Sequence, residues 1–277
     1  MSEIERSTAE HYTQRNLYES IIAALKRMGK TPDQVTAEDL APVDSFHIRG
    51  RTATLELGRL ARLGPGDAVL DVGCGLGGSA RHLAQAFGCR VTGLDLTPEY
   101  IATAEKLTGL LGLSEQVTYR TASALYMPFE DASFDAVWSE HAQMNIPDKK
   151  ALYTEIHRVL KPGGRFLFHD ILQGTGGEPH FPAPWARAPG HSALIGPADF
   201  RVLLQSLGFD IRHWEDKTAE GRAWYTKGMA GMKETAPPPL GSHLLLGAIV
   251  VQCMENNLRN LQENRIAVYQ GMLEKMG

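Results

Sequence analysis

Residues 69–78 read Val-Leu-Asp-Val-Gly-Cys-Gly-Leu-Gly-Gly, an apolar run that meets a cluster of glycines and then a helical stretch, Ser79 to Phe87. A strand delivered into a glycine turn at a helix mouth lets the backbone approach a ligand closely, because the missing Cβ atoms leave room. Gly73, Gly75 and Gly77 stand in GxGxG spacing. Alone, that spacing discriminates poorly: a plain strand-to-helix turn reads alike, and nicotinamide or flavin enzymes use a similar GxGxxG. Two acids sharpen it. Asp71 sits inside the strand where a dinucleotide fingerprint is normally apolar, so it can accept a hydrogen bond from a ligand cation or fix the loop. Asp95 closes the next strand, where a carboxylate can take both hydroxyls of a ribose; the competing role is a helix N-cap ahead of Pro98.

The rest of the chain decides what this turn belongs to. Ala68–Val72, Arg90–Leu94, Val117–Thr121, Ala136–Ser139 and Arg165–His169 are rich in strand formers, and Ser79–Phe87, Pro98–Leu111 and Lys149–Leu160 read as helices between them. Such alternation predicts right-handed crossovers and a doubly wound α/β fold, a mostly parallel, Rossmann-like sheet covered on both faces. Asp199–Leu207 reads as a further helix, Phe209–Trp214 as a sixth strand and Arg265–Glu274 as a seventh. Outside this core, residues 1–30 and Ser45–Leu63 show helical periodicity, joined by an acidic, turn-rich connector from Thr31 to Pro42. Residues 219–233 and 242–262 are helical in pattern, separated by three prolines. The expected division is a helical cover over 1–63, the cofactor-binding core over 64–218, a helical insertion over 219–263 and the last strand over 264–277.

Composition removes whole classes. Among 277 residues, 43% are hydrophobic and 22% charged, which fits a globular chain rather than a disordered one. A net charge of −4 supplies no basic field for nucleic acid or an anionic membrane. Cys74, Cys89 and Cys253 share no CxxC spacing, so neither a disulfide framework nor a metal site is expected, and a reducing cytoplasm fits. No segment reads as a signal peptide or membrane span.

With these motifs in order, the chain resembles the class I S-adenosylmethionine-dependent methyltransferases. The glycine loop looks like that family's first motif, Asp95 like its ribose-binding acid, Phe134-Asp135-Ala136-Val137-Trp138 like its fourth strand, and Leu160-Lys161-Pro162-Gly163-Gly164-Arg165-Phe166 like the turn before its fifth. A closer resemblance is to the small-molecule branch with sarcosine/dimethylglycine methyltransferases, through Phe46-His47-Ile48-Arg49-Gly50, Gly77-Gly78-Ser79-Ala80-Arg81 and Phe181-Pro182-Ala183-Pro184-Trp185-Ala186. The resemblance implies S-adenosylmethionine as cofactor, held by Asp71, Gly73, Gly75, Gly77, Asp95, Leu96, Ser123, Ala124 and Ser139. One departure stands out. Relatives often carry an acid after strand three that meets the adenine amino group, whereas this chain reads Ala122-Ser123-Ala124-Leu125, where Ser123 offers only a hydroxyl and backbone groups.

Ligands of such sheets bind at the carboxyl ends of the strands. Glu140 and His141 end strand four and His169 ends strand five, so these three are the candidate acid–base groups. Each histidine has an equally simple role as a backbone hydrogen-bonding partner. Tyr12, Tyr18, His47 and Trp185 are candidates for a lid or acceptor contacts, although aromatic residues at helical spacing often only pack a core. An acceptor bearing a carboxylate would want Arg49, Arg187 or Arg222. The helices after residue 218 serve either as a substrate lid or as a homodimer surface. The expected reaction is methyl transfer to a small-molecule amine or hydroxyl. Two alternatives are intramolecular cyclisation or fragmentation of S-adenosylmethionine, and binding without catalysis.

Overall fold

Val69 and Leu70 are neighbours in one strand yet enter different cores, because successive side chains of a strand point to opposite faces. Both are fully buried, as in a parallel sheet covered on both sides. The computed structural model describes residues 16–234 and 238–277. Its strands β1 (Ala68–Val72), β2 (Arg90–Asp95), β3 (Val117–Thr121), β4 (Phe134–Glu140), β5 (Leu160–Gln173), β6 (Phe209–Asp216) and β7 (Ile266–Lys275) form one sheet in the order β3-β2-β1-β4-β5-β7-β6. Strands β1 to β5 pair in parallel, and β7 runs antiparallel between β5 and β6. The doubly wound, seven-stranded expectation is the architecture observed.

Helices cover both faces. α3 (Arg51–Leu60), α4 (Gly78–Phe87) and α5 (Pro98–Leu110) bury Leu57, Leu83 and Ala104 against Val69, Val91 and Trp138. α6 (Lys149–Val159) and α7 (Pro197–Ser206) bury Ile156 and Phe200 against Leu70, Val137 and Phe166. Two satellite clusters complete the core among the described residues. In one, α1 (Leu17–Arg27) and α2 (Ala37–Asp44) pack Leu17, Ile21, Leu40 and Val43 onto Tyr100 and Leu107 of α5. In the other, Tyr225 and Met229 of α8 (Thr218–Glu234) and Leu261 of α10 (Val250–Gln262) meet Ile48, Ile171 and Trp185.

Four local expectations need correction. The connector from Thr31 to Pro42 is largely helical: Thr36 Oγ1 accepts from Asp39 N at 3.3 Å and Asp39 Oδ2 accepts from Thr36 N at 2.9 Å, a reciprocal cap that starts α2 despite Pro42 inside it. The helix expected from Ser45 begins only at Arg51, leaving Phe46-His47-Ile48-Arg49 as a turn. The helix expected over 242–262 is broken into α9 (His243–Leu246) and α10, with Gly247 at φ 61 between them, a conformation that favours glycine. Strand β5 also runs past His169 to Gln173, because β7 pairs with it from Arg165 to Gln173.

Candidate active site

The strand order reverses between β1 and its two neighbours, β2 and β4, and their carboxyl ends open a crevice there. The glycine loop forms its floor. Gly73, Gly75 and Gly77 all have left-handed φ, at 75°, 53° and 78°. A Cβ on Gly73 would lie 2.5 Å from Ala142 Cβ, and one on Gly77 would lie 2.1 Å from Tyr119 Oη. Gly75 is different: its Cβ position meets nothing within 4 Å, so that glycine keeps space open for a ligand. Asp95 ties the loop to the next helix, its Oδ2 accepting from Gly75 N and its Oδ1 from Thr97 N, both at 2.9 Å. Asp95 is not the N-cap itself, which is Thr97; it holds that residue's N–H just ahead of α5 and lines the crevice.

The crevice encloses about 410 Å³. Asp71, Gly73, Gly75, Asp95, Leu96, Ser123, Ala124, Glu140, His141 and His47 line it, together with Phe46, Tyr100 and Leu245 from the appended helices and turns. Gly77, Ser139 and His169 do not border it. Asp71 is 2% exposed and its Oδ2 has no hydrogen-bond partner among the described residues. Burial, then the charges of Glu140 and Asp95, push its carboxyl well above the ordinary carboxylate range. Such a group is stabilised by a cation placed beside it. Cys74 is buried in the same loop, and burial raises its thiol well above the usual value, which removes nucleophilic character.

A second cavity of about 350 Å³ lies beside the first, and the two share Phe46, His47 and His141. At this junction a polar chain runs inward. His47 Nε2 lies 3.2 Å from Thr54 Oγ1, and the Thr54 hydroxyl donates to Glu140 at 3.0 and 3.1 Å. Ser79 Oγ donates to the same carboxylate at 2.5 Å, and His47 Nε2 is 3.6 Å from it. Since the threonine proton goes to Glu140, its oxygen accepts from His47 Nε2, which leaves Nδ1 as the ring nitrogen outside the relay. Ser79 and Thr54 escaped the sequence reading. Thr54 left a trace, being the polar member of the buried stripe Ala53, Thr54, Leu57 and Gly58 of α3.

His141 has φ 50, and its ring stacks on His169 with centroids 5.5 Å apart and planes at 14°. Burial, then His169 and His47, hold His141 well below the ordinary histidine range, so it is neutral. His169 is fully buried, its Nε2 donates to Ile48 O at 2.8 Å, and burial lowers it to about 4. It borders neither cavity and supports His141 from behind.

The lid candidates separate. Tyr12 lies outside the described residues. Tyr18 packs under Lys106, whose Nζ is 4.6 Å from the ring centroid, and lines neither cavity. Trp185, the loop indole considered for acceptor contacts, is 1% exposed, donates from Nε1 to Ser192 Oγ at 2.9 Å and borders the second cavity. Arg49 is paired with Glu56 at 2.6 Å, and neither it nor Arg187 nor Arg222 reaches either cavity.

Residues 70–168 match the family described as Methyltransferase domain. The chain is 30% identical over 184 residues to O-methyltransferase resE of Aspergillus sclerotiorum, covering 65% of this chain and 68% of that protein. It is 32% identical over 157 residues to sarcosine/dimethylglycine N-methyltransferase of Halorhodospira halochloris, 57% of this chain and 56% of that one, so it spans little more than half of that relative. Among solved structures, the [4+2]-cyclase SpnF superposes with a TM-score of 0.69 at 21% identity, over 89% of this chain and 97% of that one, a likeness of fold.

A Rossmann-like sheet with this crevice at its switch point is the frame of a class I methyltransferase. The chain belongs to the S-adenosylmethionine-dependent methyltransferases, in their small-molecule branch, and S-adenosylmethionine is its cofactor. The first cavity fits that group, since it offers a glycine cradle, an acid at the end of β2 and a buried carboxylate oxygen without a partner. No helix of the described residues is long and apolar enough to cross a membrane.

Proposed function

We propose that this protein methylates a small-molecule hydroxyl or amine, with the cofactor in the first cavity and the acceptor reaching it through the junction at His47 and His141. When bound, S-adenosylmethionine supplies an already activated methyl group, so the protein's work is to align, to exclude water and to move one proton. Asp95 accepts from the ribose hydroxyls while holding Gly75, and Asp71 faces the cationic end of the amino-acid arm. Ser123 and Ala124 stand where the adenine edge is expected. His141, kept neutral by burial, orients the acceptor. His47 takes the acceptor proton at Nδ1, and the relay through Thr54 to Glu140 stabilises the resulting imidazolium. This reassigns His47, expected as a lid residue, to the proton transfer.

The observation that supports the reading is the sharing of His47 and His141 by two cavities, one of which carries the glycine loop and Asp95. The test is incubation with S-adenosylmethionine alone and then with a metabolite panel. S-adenosylhomocysteine formed only when an acceptor is present supports methyl transfer. Methylthioadenosine formed without an acceptor would replace it with intramolecular chemistry, and tight binding without turnover would replace it with a binding role.

A further inference from the structure

We infer that the second cavity is the acceptor site and that it takes an uncharged, largely apolar molecule carrying a hydroxyl or N–H donor; this deepens, and rests on, the methyl-transfer reading above. Its place is set by the shared junction, since a molecule filling it reaches the donor cavity past Phe46, His47 and His141. Its volume of about 350 Å³ lies at the small end of small-molecule sites, roughly 300–1,000 Å³.

The wall chemistry chooses the class. Ile48, Met144, Ile171, Trp185 and Met229 supply apolar surface, and among the described lining residues none is Asp, Glu, Lys or Arg. A carboxylate, phosphate or ammonium buried here would meet no permanently charged side chain, the titratable groups on the wall being the imidazoles of His47 and His141 and the phenol of Tyr225, and an unpaired buried charge is strongly disfavoured. The arginines considered for a carboxylated acceptor are absent from this wall.

One polar group on the wall points to a ligand. Asn257 of α10 is 1% exposed, and its Oδ1 has no hydrogen-bond partner among the described residues. The neighbouring phenol does not fill it: Tyr225 Oη donates to Met254 Sδ at 2.7 Å and accepts from the Asn257 amide nitrogen, so Oδ1 is the amide atom left without a partner. Buried amide oxygens are nearly always paired, so an orphan on a cavity wall is matched by a donor that the chain does not supply. An acceptor O–H or N–H supplies it.

The experiment is calorimetry on the full chain saturated with S-adenosylhomocysteine, using 2-naphthol, 2-methylnaphthalene and 2-naphthoate as probes. We expect 2-naphthol to bind at least tenfold more tightly than 2-naphthoate. In Asn257→Leu, the advantage of 2-naphthol over 2-methylnaphthalene should shrink at least threefold. Gly228→Trp gives a second variant that does not depend on the core, because Gly228 borders the cavity on an exposed helix position with nothing within 4 Å of its Cβ site. It should weaken 2-naphthol at least tenfold and leave S-adenosylhomocysteine affinity unchanged. Equal or tighter binding of 2-naphthoate, or 2-naphthol binding that Gly228→Trp does not alter, overturns the inference. Failure of S-adenosylhomocysteine to bind, with naphthol behaviour as expected, would instead sink the methyl-transfer reading and leave the apolar site standing.

Discussion

The guanidinium of Arg81 donates to the carboxylate of Asp44 at 2.6 Å, with both side chains almost wholly buried. Arg81 also donates from Nη1 to Leu76 O at 2.8 Å, so one side chain holds the glycine loop and the end of α2 together. Gly78 shows how close the two come: a Cβ there would sit 2.2 Å from Asp44 O. The clamp connects the appended helices to the cofactor floor.

Arg81→Met strands a buried carboxylate and should cost about 3–5 kcal/mol of stability. Adding Asp44→Leu should restore much of it. Urea unfolding of the two variants checks this, and a single-variant loss below about 1 kcal/mol would show that the pair contributes little.

Asp95→Ala should weaken S-adenosylmethionine by about 1–3 kcal/mol, the range for lost charge-assisted hydrogen bonds. Because Asp95 also holds Gly75 and Thr97, Asp95→Asn is the cleaner comparison. Unchanged affinity by calorimetry in both folded variants would remove the ribose role.

Asp71 gives cofactor affinity a pH dependence of known sign. Its carboxyl is raised in the free protein, and a ligand cation beside it favours the ionised form. The bound state then holds fewer protons, so affinity rises with pH, by at most about tenfold per pH unit, and falls in acid. The same displacement acts on folding in the opposite direction. An unfolded Asp ionises near ~3.9, so the stability this group contributes is present in acid and lost as pH rises through the folded value. Titrations at several pH values, with Asp71→Asn expected to flatten the affinity profile, decide the matter.

His47→Gln should lower kcat by about 10²–10⁴, the range for general base catalysis, while changing cofactor affinity less than about threefold. Thr54→Val breaks the relay without touching either cavity and should reproduce part of the loss. A kcat within threefold of the parent enzyme for both variants would rule out the proposed proton path.

The helices around the sheet are less removable than a cover on a finished core. Deleting residues 1–30 would strip Leu17, Ile21 and Leu25 from Tyr100 and Leu107, so we expect a loss of stability of several kcal/mol at roughly 1.5–3 kcal/mol per buried side chain, together with a loss of cofactor affinity through Tyr100. Thermal unfolding of the truncated chain tests it; an unchanged Tm would show that these residues pack without stabilising.

The sequence by itself determined whatever follows from local pattern. Strand–helix alternation dictated a parallel sheet, the glycine spacing marked the turn, and Asp71 and Asp95 were placed on strands whose ends converge at one crevice. Those features have short periods and fixed offsets, so they are legible in one chain. The junction was not, because Thr54, Ser79 and Glu140 meet across separations of 86 and 61 positions and no periodicity joins them. The same holds for Asn257, which shares a cavity wall with Ile48, and for Trp185, whose burial against Ser192 and the cluster of Ile48 and Ile171 joins segments far apart in the chain. Which polar atoms end up orphaned on a cavity wall depends on how separately folded helices dock, and only the tertiary structure decides that.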